Sequence, residues 1–185
     1  MPATEMSASR IGRRAFISSL GAVAASATLM TPARAHAAAA YSHRLRMVNP
    51  HNNEHFDEWV VRNGKFQRAA LDKFKRFARD WRAGISNDID PRVLRTAVEL
   101  QRAVGNDEPM LLISGYRSPQ TNRALNGTAK NSLHMRGLAL DLRQPGVSTS
   151  TLHRAAVSLR QGGVGKYSSS DFVHVDCGRV RYWGS

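Results

Sequence analysis

Apolar residues recur along this chain in two rhythms, one of three to four and one of two. Over residues 67–81, Leu71, Phe74, Phe77 or Ala78, and Trp81 fall at spacings of three and four, which predicts a helix with one buried face. A second helix is predicted to open at Asp90-Pro91, with the aspartate as N-cap and the proline in the first turn, and to bury Val93, Ala97, Leu100 and Val104. Residues 148–160 predict a third, with Leu152, Ala155, Ala156 and Leu159 inward. Residues 43–48 and 58–62 read as short strands, with Asn49-Pro50-His51-Asn52-Asn53 supplying turn chemistry between them and Asn63-Gly64 a turn after them. Residues 110–114 form an apolar strand that leads into a turn and a short helix by Asn122, and residues 125–131 are a polar loop. Further strands are expected at 138–142, 172–176 and 179–183, and Gly162-Gly163-Val164-Gly165 reads as a turn. Helices in the first half and between strands predict an α+β fold, a small antiparallel sheet with flanking helices.

The first 37 residues have a different character. Gly12-Arg13-Arg14-Ala15-Phe16-Ile17 sets a twin arginine before an uncharged, Ala-rich run of 16 residues, 15–30. Pro32 and two small-x-small sites follow, Ala33-Arg34-Ala35 and Ala35-His36-Ala37. This order predicts a Tat-type signal peptide over residues 1–37 and a mature domain over 38–185, periplasmic or extracellular. The uncharged run falls short of the roughly 20 residues of a spanning helix, so no stable membrane anchor is expected after cleavage.

Charge narrows the partners. The whole chain carries +13; residues 1–37 hold four Arg and one Glu, so the remainder has 23 basic and 13 acidic residues, net +10. A basic surface suits a polyanion, which for an exported protein is the cell wall. No basic–aromatic module for nucleic acid is present, and a plain soluble basic surface is the alternative. Cys177 is alone, which excludes an intrachain disulfide and a Cys-x-x-Cys motif; opposite His174 in strand parity, it reads as a small hydrophobe.

The chemistry concentrates in two segments, Ser132-Leu133-His134-Met135-Arg136-Gly137-Leu138-Ala139-Leu140-Asp141 and Asp171-Phe172-Val173-His174-Val175-Asp176. Two imidazoles and one carboxylate, His134, Asp141 and His174, are the donor set of catalytic zinc sites that leave a fourth position to water. Strand parity puts Asp141 opposite Leu138, Leu140 and Leu142, away from the apolar side where an unpaired carboxylate would be costly. Parity likewise puts His174 and Asp176 on one face and Val173 and Val175 on the other. His43, His51, His55 and His153 lack such a context.

The pattern Ser-x-His-x-x-Gly-x-Ala-x-Asp, the later His174 and the upstream Ser114-Gly115-Tyr116-Arg117-Ser118 resemble the zinc peptidases of the D-alanyl-D-alanine carboxypeptidase, lysostaphin and hedgehog superfamily, nearest its YcbK-like exported branch. The likeness extends to Asn49-Pro50-His51 and to residues 162–167 and 172–183. It implies a Zn2+ cofactor held by His134, Asp141 and His174. It also implies Arg117 on a substrate carboxylate or developing oxyanion, a role that suits the guanidinium fork; a loop-stabilising ion pair is the alternative. Two acids compete as general base. Asp171 occupies the carboxypeptidase position, three residues before the last histidine; Asp176 occupies the position kept in the YcbK-like branch and shares the face of His174, roughly 6–7 Å along the strand. The other acid would hold an imidazole by its second nitrogen. The lysostaphin-type histidine is absent, since Phe172 stands there, and Ser132 lacks a nucleophile-elbow context. The implied activity is hydrolysis of an amide bond in peptidoglycan peptides, by a murein endopeptidase or carboxypeptidase. The alternative is a non-catalytic zinc-containing wall-binding module.

Overall fold

A computed structural model describes residues 41–184. The signal peptide expected over residues 1–37 lies outside them. Eight strands form one sheet: β1 (His43–Asn49), β2 (Glu54–Arg62), β3 (Lys65–Phe66), β4 (Met110–Ser114), β5 (Ala139–Arg143), β6 (Gly163–Tyr167), β7 (Phe172–Asp176) and β8 (Arg181–Trp183). Their order is β3-β2-β1-β4-β5-β7-β6-β8. Among the described residues four helices accompany them: α1 (Arg68–Phe77), α2 (Pro91–Val104), α3 (Pro119–Ala124) and α4 (Thr149–Leu159). Among the described residues, no helix is long and apolar enough to cross a membrane.

The α+β class agrees with the sequence pattern, but the sheet is neither small nor purely antiparallel. β1 runs parallel to β4, and β6 parallel to β8. Parallel neighbours need a long crossover, here everything between residues 49 and 110, and such a pairing leaves no local mark in the sequence. The central strands bury Leu140, Leu142, Val173 and Val175 completely. α2 and α4 pack on each other; α4 lies against β6 and β7, and α2 reaches β1, β5 and β7.

Helix starts follow their caps. The Asp90 carboxylate accepts from Arg92 N at 2.8 Å, Pro91 occupies the first turn, and Gly105 at φ 61° ends α2. Ser148 caps α4 in the same way, accepting from Thr151 N. The expected helix over 67–81 instead stops at Phe77. Tyr116 N donates to Ala78 O at 2.7 Å, and Asp80 folds the next residues into a turn by accepting from Arg82 N and Ala83 N. Trp81 therefore leaves the core stripe, while Ala70, Phe74, Phe77 and Ala78 remain buried.

Residues 163–167 are a strand and not the turn their glycines suggest. A Cβ at Gly163 would stand 2.5 Å from Asp176 Oδ2, and one at Gly165 would stand 2.4 Å from the Trp183 ring. These glycines give room to neighbouring strands, as glycine within a strand often does.

Candidate metal centre and its cleft

One register row across the sheet assembles the centre. Ser114 pairs with Asp141, Asp141 with His174, His174 with Gly165 and Gly165 with Trp183, taking one residue from each of five adjacent strands. Side chains in such a row share a face, so Asp141 and His174 project together, opposite the leucines and valines of the core. His134 comes from a 3₁₀ turn, Leu133–Arg136, just before β5. Ser132 caps that turn, its Oγ accepting from His134 N, and Gly137 closes it at φ 65°. Glycine is required there twice over, because a Cβ would also stand 1.9 Å from Asp88 O.

Three donor atoms converge. Asp141 Oδ1 lies 2.9 Å from His174 Nδ1 and 3.2 Å from His134 Nε2, and the two ring nitrogens lie 3.2 Å apart. Four-coordinate zinc with bonds of about 2.0–2.1 Å separates its ligands by roughly 3.3 Å, so this spacing matches one face of such a site. The outer nitrogens set the tautomers. His134 Nδ1 lies 2.7 Å from Gly115 O, and a carbonyl only accepts, so this nitrogen carries the proton. His174 Nε2–H donates to Asp176 Oδ2 at 3.1 Å. Each neutral ring then turns a lone pair toward the Asp141 carboxylate. Three lone pairs facing one another call for a cation, and partners on the outer nitrogens are the usual support of ligating histidines.

The charges express the same demand. Burial works against ionisation of Asp141, but the attraction and hydrogen bonds that the two histidines offer once protonated outweigh it and hold the carboxyl well below its usual range. Burial also opposes charge on His174, yet bonds to Asp141 and Asp176 push its pKa up from the ordinary value. Without a metal, a proton on His174 is the available relief.

The two acids expected as general base stand in different places. Asp176 is 1 % exposed and fully engaged. Its oxygens accept from His174, from both Arg181 nitrogens at 3.1 and 2.7 Å, and from the backbone N–H of Gly163 and Gly178. Burial would raise its pKa, but these donors, His174 first, hold it well below the usual range. Asp171 pairs with Arg143 at 2.6 Å and accepts from the Thr149 hydroxyl. It does not line the cleft, although its chain neighbours Ser170 and Phe172 do.

Arg117 lies in the wall with the three donors, its Nη2 3.1 Å from Asp141 Oδ2 and its Nε 3.2 Å from Ser114 Oγ. Burial depresses its pKa, with Asp141 opposing and the Arg82 charge adding to the depression. The cleft itself has a volume of about 580 Å³. Three further wall residues were assigned no role from the sequence, although His51 and Tyr167 fall in segments that carry the family likeness. His51 stacks on Trp81 at 4.5 Å, the Arg82 guanidinium lies over the same Trp81 ring at 4.2 Å, and Tyr167 accepts from Trp183 Nε1–H at 3.1 Å. The Asn49-x-His51 spacing was the one available cue, since Asn49 Oδ1 accepts from His51 N at 3.0 Å. Cys177 is half-buried against Leu138 O, away from the centre.

A buried His-Asp-His donor set on two adjacent strands and the turn before them, with an arginine beside it, is the site arrangement expected of the D-alanyl-D-alanine carboxypeptidase superfamily. Residues 37–183 match the family described as "Peptidoglycan L,D-endopeptidase MepK", and the chain belongs to that family. It is 37 % identical over 175 residues to the peptidoglycan L,D-endopeptidase MepK of Escherichia coli K12, covering 92 % of this chain and 96 % of that protein. The Shigella flexneri protein of the same name matches equally, 37 % over 175 residues. A probable peptidoglycan L,D-endopeptidase MepK of Haemophilus influenzae is 40 % identical over 123 residues, 64 % of this chain and 66 % of that one.

Proposed function

We propose that this chain is an exported zinc peptidase that hydrolyses an amide bond in peptidoglycan peptides during cell-wall turnover, as an endopeptidase and not a carboxypeptidase. The observation that carries the reading is the convergence of three lone pairs within 3.2 Å, each ring held by a partner on its outer nitrogen. The names of the relatives favour an endopeptidase and, within that, cleavage between an L- and a D-centre.

His134, Asp141 and His174 would hold the ion, which when bound supplies Lewis-acid polarisation of the scissile carbonyl and a water of lowered pKa. Asp141 would neutralise one unit of the ion's charge. Arg117, anchored on Asp141 and Ser114, presents its remaining N–H groups to substrate oxygen. Asp176 acts through His174, as a positioning residue. Asp171 is assigned the proton transfer from water to the leaving amine. Its ion pair with Arg143 is exposed, 44 % and 46 % for the two side chains, and such pairs are worth only about 0–1 kcal/mol. Releasing it toward the cleft therefore costs little, and catalytic contacts commonly tighten only with substrate bound.

Digestion of purified sacculi tests the activity. Zinc-loaded protein is expected to release fragments that mass spectrometry assigns to a single type of L,D bond, and chelation is expected to stop release. Binding without fragments at any zinc level would instead favour the wall-binding module. The twin arginine motivates the export proposal: Arg13→Lys with Arg14→Lys should leave uncleaved precursor in the cytoplasm. Normal export of that double variant would overturn the Tat assignment.

A further inference from the structure

Three arginines line the cleft: Arg82, Arg117 and Arg181. Arg117 is paired with Asp141 and Arg181 with Asp176. Arg82 has no ion pair among the described residues, so it is the one guanidinium of the wall with no carboxylate in direct contact with it. We propose that Arg82 recognises a free carboxylate of the substrate peptide, at a subsite distinct from the metal centre and from Arg117, and so sets specificity for acidic peptides. The proposal rests on the peptidase reading above.

Arg82 is held for such a role. Its guanidinium lies 4.2 Å over the Trp81 ring. That indole stacks on His51 at 4.5 Å with 14° between the planes. His51 is fixed in turn by donating Nε2–H to Ile113 O at 3.0 Å, at the end of β4. Stacking occupies the face of a guanidinium and leaves its N–H edge open, and that edge is the part that meets a carboxylate with two parallel hydrogen bonds. An arginine already lying on a ring loses less rotamer freedom on binding than one extended into water.

Asp80 couples this arm to the rest of the cleft. The carboxylate is 2 % exposed; Oδ1 accepts from Arg82 N at 3.1 Å and from Ala83 N at 3.3 Å, and Oδ2 accepts from Ser118 N at 2.9 Å. One buried carboxylate thus ties the turn bearing Arg82 to the loop bearing Arg117. The backbone bond from Tyr116 N to Ala78 O closes the same junction. The two guanidinium-bearing segments are fixed relative to each other, so a ligand spanning Arg117 and Arg82 meets a preset separation. The cleft also has aromatic lining, with Tyr167 stacked on Phe172 at 4.6 Å and Trp183 beside His174.

The test compares a cross-linked muropeptide with the same compound carrying a carboxamide in place of its free carboxylate, on the zinc-loaded protein. Hydrolysis and equilibrium binding are both measured, the latter with a non-hydrolysable isostere of each. Wild type is expected to prefer the acid in KM and Kd by roughly 10–100-fold, the range of charge-assisted hydrogen bonds. Arg82→Gln should bring that ratio close to one, and Arg82→Lys should recover part of it. A role confined to supporting the turn would weaken both compounds alike and leave the ratio unchanged. An acid-to-amide ratio untouched by Arg82→Gln, with cleavage intact, overturns the subsite and leaves the peptidase reading standing. Acid-selective binding that Arg82→Gln abolishes, with no cleavage of either compound, supports the subsite and overturns the peptidase reading. Failure of wild type to bind either isostere overturns both.

Discussion

His134→Ala should remove zinc and peptidoglycan cleavage together. The substitution takes one of three donors from a set in which no fourth protein ligand stands ready among the described residues. Loss of a partner that merely orients a ligand costs roughly 10–100-fold in metal affinity, so loss of the ligand itself should cost more. The variant also strands Gly115 O, which accepts from His134 Nδ1–H, and an unpaired buried carbonyl costs about 1–3 kcal/mol. A lower Tm is therefore expected alongside the metal loss. Elemental analysis of protein purified without added metal checks the claim: about one zinc per wild-type chain, and close to none in the variant. Wild-type zinc content and cleavage in His134→Ala would remove the metal assignment. Acid should act on wild type in the same direction, because ligation needs a neutral His174. The raised His174 pKa means that protons compete with the metal from a higher pH than at an ordinary histidine, so zinc occupancy at limiting metal falls as pH drops through that value.

The largest contrast between two single substitutions is expected at Asp171 and Asp176. Asp171→Asn should keep full zinc and a nearly unchanged Tm, because the pair with Arg143 is exposed and an amide oxygen can still accept from the Thr149 hydroxyl, while turnover falls roughly 10²–10⁴-fold with the proton acceptor. Asp176→Asn should do the reverse. It takes the charge from a fully buried carboxylate that serves His174, Arg181 and two backbone N–H groups. Breaking one side of a buried ion pair is costly, so Tm should fall clearly. Zinc affinity should drop roughly 10–100-fold as His174 loses its orienting partner, with activity restored by excess zinc. Kinetics at saturating and limiting zinc, with the metal content of each variant, separate the two. If the patterns are exchanged, the roles assigned to the two acids are exchanged with them. Near-wild-type cleavage by both at saturating zinc would mean that neither moves the proton, and the non-catalytic reading would then gain.

The donor types of the site were legible because they depend on short-range facts. Strand parity already puts Asp141 opposite the leucines, and His174 and Asp176 on one face. Ser132 and Gly137 bracket His134 as residues that start and stop a turn do. Parity could not tell Asp176 as a base from Asp176 as a support, since both readings need the same face. What separates them is the set of partners, Arg181, Gly163 N and Gly178 N, gathered by the meeting of β6, β7 and β8.

Local chemistry alone determined where α2 and α4 begin and which faces of β5 and β7 are buried, and so that Asp141 and His174 face away from the core. Each follows from a cap or a side-chain period within a few residues. The tertiary structure alone decided the eight-stranded mixed sheet, the early end of α1, the strand at residues 163–167 and the stacking of His51, Trp81 and Arg82. Those features depend on groups far apart in the chain. Asp80 finds Ser118 38 residues away, and Gly165 is a glycine because Trp183 lies over it. A hydrophobic period carries no record of such a partner, because the energy that selects the conformation arises only once the two segments touch.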